Sequence, residues 1–432
     1  MKKGGVFVGP LPEGYKPSSR GRTLDQKAVD EHRDADDGLV YDDISMEVNT
    51  AIPDSYATFA RGKAISLLTK KSLQSMIASG KVFDPLNRQP LHPEVIAWVF
   101  ENKEGPFFPE VILPISQTEE KEKVVNVVNC EDKYLVVLTQ EGMCYIYDRD
   151  YALIGSVEVE AGVNQAAISE DDTFMYVVSY TDENASLVSP ALHYIRKDTT
   201  STLKEKKPTL LNNPNGEGIP VKNVFFIEGS VFVVFYPHTI YQWKVGGNRT
   251  TRISKPVRFD SELTQREGGY SFHYRDGILV VYNRYLGTVS KYRYEEGGFK
   301  KVVSEVYLQL QNSSLNPMVS VSGQYLATPS VGSVMRAYDI TRDRSPLMDI
   351  YKSAVIQNIY NVTSFAVSDR YMVYSYMNVI TVVDLAEKRE VQKIRVKDAV
   401  GERRLERIRV VLFRGRLVVG YDEAMMIFEE RE

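Results

Sequence analysis

The chain is poor in the residues that build metal centres and covalent staples: 432 residues hold two cysteines, five histidines and two tryptophans. Cys130 and Cys144 each sit in an apolar run, with no Cys-x-x-Cys pattern. They read as small core side chains in a reducing compartment rather than as a disulfide. His32, His92, His193, His238 and His273 are scattered, so no structural zinc site and no cofactor is expected. No apolar run reaches the roughly 18 residues of a membrane helix, and the charged N-terminus lacks a secretory core, so a soluble intracellular (cytoplasmic or nuclear) protein without membrane contact is expected. A net charge of −4 provides no chain-wide positive field, so direct nucleic-acid binding is not expected.

Signatures of catalysis are also missing. The sequence has no Gly-x-Ser-x-Gly elbow, no Walker loop and no His-Glu-x-x-His. Paired carboxylates such as Asp171-Asp172 fall at predicted turns, where they need no catalytic role.

What is present is a composition that supports a large core, 43% hydrophobic and 25% charged. The chain divides into three. Residues 1–37 lack apolar periodicity and read as a disordered or extended tail. Residues 38–104 read as a small α+β module. Leu39 to Val48 is strand-like, Ala57 to Leu68 suits a hairpin, and Thr69 to Gly80 suits a helix with Leu73, Met76 and Ile77 as its apolar stripe. Asp84 to Leu91 is a loop bracketed by prolines, and Pro93 to Phe100 a second short helix.

Residues 105–432 change texture to repeated short β runs. Seven tight turns separate apolar runs, at Cys130-Glu-Asp-Lys, Ser169-Glu-Asp-Asp, Glu228-Gly-Ser, Arg275-Asp-Gly, Ser322-Gly-Gln, Ser368-Asp-Arg and Arg414-Gly-Arg. The last four lie about 46 residues apart. After each turn a further apolar run ends at a second landmark: Tyr147-Asp148, Tyr194, Trp243-Lys244, Tyr294-Glu295, Tyr338-Asp339, Val383-Asp384 and Phe428-Glu429. Two landmarks in phase seven times predict a mainly β, seven-bladed propeller, whose second blade carries a long insertion from Lys197 to Gly218. The chain stops at the third strand of its last blade, so Glu110 to Ile115 is predicted to supply the fourth and close the ring.

The blade endings resemble those of the WD40 class in degenerate form. Asp148, Asp339 and Asp384 stand where that class has the Asp of its Trp-Asp ending, Trp243 stands at the Trp position, and the opening Gly-His is absent. Between Tyr41 and Ile96 the sequence resembles a U-box, the zinc-free relative of the RING finger. The resemblance is carried by Ile44-Ser-Met-Glu-Val48, the helix Ser72 to Gly80, and Phe83-Asp-Pro-Leu-Asn-Arg-Gln-Pro-Leu91. A U-box ahead of a WD40 propeller is similar to the arrangement of pre-mRNA-splicing ubiquitin ligases, without the coiled coil that separates the two there.

That resemblance implies a ubiquitin ligase acting by positioning, with no nucleophile of its own. Ile44, Met76 and Pro85 would form the platform for a ubiquitin-conjugating enzyme. Arg88 would bridge the enzyme and its ubiquitin, and the propeller would hold a protein substrate. The residues taken alone leave plainer readings open: Ile44, Met76 and Pro85 as a small core, and Arg88 as a loop charge. The second functional expectation is a non-catalytic scaffold, a viral particle component included, that uses the propeller and the small module for protein–protein contacts.

Overall fold

The computed structural model describes residues 6–8, 56–61, 64–79, 81, 91, 96–97, 99–100, 105–115, 122–181, 189–197, 208–214, 219–236, 238–247, 249–253, 255–259, 270–275, 277–283, 288–295, 297–307, 318–320, 324–330, 334–340, 348–350, 362–376, 379–395 and 408–431. Seven sheets follow one another along the chain, antiparallel except for a short parallel outer strand, Arg258–Phe259, in the fourth, and they form a seven-bladed propeller. Blades 1, 2 and 3 begin with Val124–Cys130, Gln165–Glu170 and Val221–Ile227. Blades 4, 5, 6 and 7 begin with Tyr270–Arg275, Met318–Val319, Val362–Val367 and Arg409–Phe413. These first strands pack against one another around the axis and form the innermost layer.

The turns that link first and second strands sit where the sequence places them, and their backbones show why. Glu131 and Asp132 both have φ of 54°, and Glu228 and Gly229 have 44° and 69°. Such left-handed pairs match the twist of a two-residue hairpin. The turn expected at Ser322 lies outside the described residues. The third strands carry the second landmark, and Tyr147, Tyr194, Trp243, Tyr338, Val383 and Phe428 are buried there. Asp148 and Asp384 act as turn caps: the Asp148 carboxylate accepts the amides of Asp150 and Ala152, both at 2.9 Å, and Asp384 accepts those of Ala386 and Glu387 at the same distance.

The alternating side chains of each blade face its two neighbours, so the core is a set of radial seams. Among the described residues, seven apolar clusters fill them. One joins blade 1 to blade 2 (Val136, Ile146, Ile168, Val177), and another joins blade 4 to blade 5 (Tyr282, Val289, Leu326, Tyr338). The seam between blades 7 and 1 (Phe413, Ile427, Leu135, Tyr147) joins the two ends of the propeller chain. Ring closure is covalently out of order: Phe107–Pro114 is the fourth strand of blade 7, pairing with Ala424–Glu430. It starts three residues before the expected Glu110, with Pro114 at its end, where a missing donor costs little.

Residues of the small module do not stand apart. The hairpin is Tyr56–Arg61 with Ala64–Thr69, and Val6–Val8 adds a parallel strand to it. The helix Lys70–Ala78 follows Thr69 directly, and the Lys81 amide closes its last turn on the Met76 carbonyl at 2.8 Å. Its stripe of Leu73, Met76 and Ile77 is buried in one cluster with Ile96, Phe100 and the blade 6 and 7 residues Ile394, Val410 and Phe428. Gln392 of blade 6 binds both backbone groups of Phe107, accepting its amide at 2.9 Å and donating to its carbonyl at 2.6 Å. The Arg395 amide also donates to the Phe100 carbonyl at 3.1 Å. An apolar stripe on a nine-residue helix needs cover, and the propeller provides it.

Candidate functional site

A cavity of about 590 Å³ forms the axial channel, lined by the first strands of all seven blades. An innermost strand has no partner on its axial edge, so its backbone donors and acceptors there must find other groups. The chain meets this demand with side chains that reach from one blade to the next.

At the end where these strands begin, three inner strands carry the same irregularity. The register slips by one residue between Val124 and Asn126, between Val221 and Asn223, and between Val362 and Ser364. Each bulge is followed by a short polar side chain aimed at a neighbouring blade. The Asn126 amide donates to the Asn164 carbonyl of blade 2 at 2.7 Å, and Asn223 to the Phe272 carbonyl of blade 4 at 2.5 Å. The Ser364 hydroxyl donates to the Val410 carbonyl of blade 7 at 3.2 Å and accepts the Val410 amide at 3.0 Å. Arg409 then closes the ring by donating Nε–H to the Val125 carbonyl of blade 1 at 2.6 Å. Lys222 is itself the extra residue of the second bulge, the device that re-aims a side chain, and it lines the channel mouth.

The opposite end is closed differently. Arg275, the last residue of blade 4's inner strand, forms an ion pair with Asp132 in the first turn of blade 1, and the two blades are not neighbours. The pair therefore crosses the axis. Asp132 is held by its own surroundings: its carboxylate accepts from the Asn129 side chain at 2.7 Å, its amide donates back to Asn129 at 2.8 Å, and the Arg414 amide reaches it at 3.3 Å. Asn129 donates in addition to the Leu412 carbonyl of blade 7 at 2.8 Å. The two paired side chains are only 15% and 28% exposed, which strengthens their attraction relative to a pair in open water.

Between the two ends lie His273 and Cys130. His273 is on the inner strand of blade 4, two residues before Arg275, and its Nε2 is shielded from solvent with no hydrogen-bond partner among the described residues. Burial, and secondarily the nearby Arg275 charge, lowers its pKa to about 4, so the ring is neutral at physiological pH. Burial raises the pKa of Cys130, with Cys144 adding to it, and its thiol lies 3.6 Å from the Ala166 carbonyl; a thiol so held is inert.

Of the residues singled out for enzyme contact in the sequence, Ile44, Pro85 and Arg88 lie outside the described residues. Met76 is 7% exposed and packs within the cluster shared with blades 6 and 7. The channel residues Asn126, Asn223, Ser364, Lys222, Arg409 and His273 carried no flag in the sequence. A signal exists: Val124-Val-Asn126, Val221-Lys-Asn223 and Val362-Thr-Ser364 open inner strands with an apolar residue, one spacer and a short polar side chain. Among the described residues no group of three His, Cys, Asp or Glu side chains is placed to hold a metal ion, and no helix is long and apolar enough to cross a membrane.

No protein-family model matches the chain, and no curated protein matches it. Solved propellers do resemble it in structure. Hsv2 of Kluyveromyces lactis matches over 70% of this chain and 91% of its own, at 15% identity and a TM-score of 0.44. The β-propeller domain of Cps50 (Swd1) of Myceliophteria thermophila matches over 74% of this chain and 100% of its own, at 10% identity and a TM-score of 0.47.

Proposed function

We propose that this protein is a non-catalytic scaffold that binds partner proteins on the propeller face bearing the channel mouth. The observation that supports this most is the asymmetry of the channel: one end is crossed by an ion pair, while the other presents amides, a hydroxyl and two cations around an opening. Rigidity supports the same reading. Apolar seams and inter-blade hydrogen bonds fix the ring, and the small module shares a core with blades 6 and 7, so a partner would meet a preformed surface at low ordering cost.

The test is purification of the tagged full-length chain from its native source, followed by lysine cross-linking and mass spectrometry. Fixed-stoichiometry partners cross-linked to Lys123 and Lys222 on the mouth face are expected. An isolated monomer, or cross-links concentrated at Lys133 and Lys388 on the opposite face, would overturn the assignment. The U-box resemblance sets a further arm: ubiquitin chain formation with conjugating enzymes, abolished by Ile44→Ala with Arg88→Ala, would establish a ligase in place of a pure scaffold.

A further inference from the structure

We propose that the outer edge of blade 3, the strand Arg249–Arg252, docks an extended acidic segment of a partner protein. The segment joins the blade as a fifth strand and sets two carboxylates, three residues apart, against Arg249 and Arg252. The site lies on the rim, away from the channel, and goes beyond the scaffold reading by adding a second contact surface to it.

The charge pattern selects an anion here. From Gly229 to Phe259 the sequence has no Asp or Glu and five cations, Lys244, Arg249, Arg252, Lys255 and Arg258. Lys244, Arg249, Arg252 and Lys255 are exposed, and among the described residues none of these four has an ion-pair partner. Acids on the flanking blades are engaged. Glu170 of blade 2 pairs with Lys197, and Glu295 of blade 4 with Lys300 at 3.6 Å. The Asp171 carboxylate accepts the Tyr176 hydroxyl and the amides of Thr173 and Phe174, at 2.8 and 2.7 Å. Exposed Asp172 and Glu228 stand on turns between first and second strands, at the closed end of the channel and inward of this edge. Like charges along one short edge also disfavour its pairing with the same edge of a second copy.

The backbone selects an extended peptide. Residues along an antiparallel strand turn their backbone groups alternately to one side and the other. The Ile253 amide donates to the Gln242 carbonyl at 2.8 Å, so Thr251 and Arg249 also face inward. Thr250 and Arg252 therefore face outward, and no strand lies beyond them among the described residues. Such an edge offers donors and carbonyl acceptors in turn, which a peptide strand satisfies, whereas a polyanion leaves the carbonyls facing like charge. The edge is preformed. The Thr250 side chain is hydrogen-bonded to the Tyr194 hydroxyl of blade 2, and the Val257 amide is fastened to the Ile240 carbonyl at 2.9 Å. The neighbouring rim already holds an added strand, since Arg258–Phe259 pairs with Gly298 and Phe299 of blade 4. No large apolar side chain of residues 239–259 is exposed among the described residues, so a lipid surface finds no anchor. Side chains alternate across a strand, so Arg249 and Arg252 emerge on opposite faces. An added strand meets both only with acids an odd number of residues apart.

The probe is a capped fluorescent peptide, Thr-Val-Glu-Thr-Val-Glu-Val-Thr, titrated with the full-length chain and read by anisotropy. Saturable binding is expected, weakened at least about tenfold by Arg249→Glu with Arg252→Glu, and reduced by added salt. Arg249→Lys with Arg252→Lys should restore most of it. Both arginines are exposed, so the charge-reversed variant keeps the fold, which circular dichroism and the melting temperature verify. A peptide with its two Glu placed two residues apart, and one with Pro at a central position, should each bind several-fold more weakly. Absence of saturable binding, or equal affinity for wild type and the charge-reversed variant, would overturn the inference. Full binding of the Pro peptide would do so too, because charge alone would then be at work. Tighter binding of single-stranded oligothymidylate, with the same sensitivity to charge reversal, would assign the edge to nucleic acid instead. The scaffold reading is tested apart from this, by cross-links at Lys123 and Lys222, which the charge-reversed variant keeps in either case.

Discussion

The two ends of the channel solve one problem in opposite ways. Seven inner strands bring unpaired backbone edges to the axis at both ends. At the mouth, side chains link neighbouring blades: Asn126 to Asn164, Asn223 to Phe272, Ser364 to Val410 and Arg409 to Val125. At the floor, a charged pair links blades that do not touch, Asp132 of blade 1 and Arg275 of blade 4. Neighbour links leave the axis open; an axial link blocks it. The difference teaches that stitching the ring and closing the channel are separate tasks here, and that they respond to different perturbations.

Acid is expected to produce the largest effect, and it acts between the two ends. His273 in the channel and His193 in blade 2, whose Nε2 lies 3.1 Å from the Ser179 hydroxyl, both have pKa values lowered to about 4 by burial. The unfolded chain takes up these protons near the ordinary value of 6.5, the folded chain only near 4. Stability is therefore complete above 6.5 and declines as pH falls towards 4, by about 3 kcal/mol per histidine at most. Urea denaturation across that range measures it, and His193→Gln or His273→Gln should each flatten part of the slope.

Next in size is an insult to the mouth end of the seam between blades 7 and 1. A Cβ at Gly420 would stand 2.6 Å from Val127 Cγ2 and 2.8 Å from Val124 Cγ1. Gly420→Val should cost about 1–3 kcal/mol by overpacking, read as a lower melting temperature. Asn223→Leu removes the donor to the Phe272 carbonyl and should cost about 1–2 kcal/mol, independent of salt. Asp132→Ala at the floor should cost about 1 kcal/mol or less, with a loss that shrinks in high salt. Equal salt dependence for Asn223→Leu and Asp132→Ala would break the contrast between the two ends.

The sequence made the blades legible because turns and blade ends impose local demands. A hairpin between strands needs residues that tolerate positive φ, and Arg275-Asp-Gly or Arg414-Gly meets that need within four residues. The site was less legible. Asn126 and Asn223 read as ordinary polar positions in alternating strands, and only the ring shows that their partners are carbonyls of the neighbouring blade. Nothing local marks Asp132 and Arg275 as a pair, since the contact is a product of closure. The helix stripe of Leu73, Met76 and Ile77 was readable as apolar, yet its cover, Ile394 and Phe428, lies hundreds of residues away in the chain.

Everything said of the channel depends on the ring being closed by Phe107–Pro114 in blade 7. Phe108 stands directly opposite Glu429 there, and Cys130 and Cys144 are buried and will not compete. Paired positions on adjacent antiparallel strands lie about 4.5–5.5 Å apart at Cα, within the range a disulfide spans. Phe108→Cys with Glu429→Cys should therefore form an intramolecular disulfide under mild oxidation, seen by mass spectrometry as one cross-linked peptide. A monomer whose two introduced thiols remain free would contradict closure, and with it the channel and the site at its mouth.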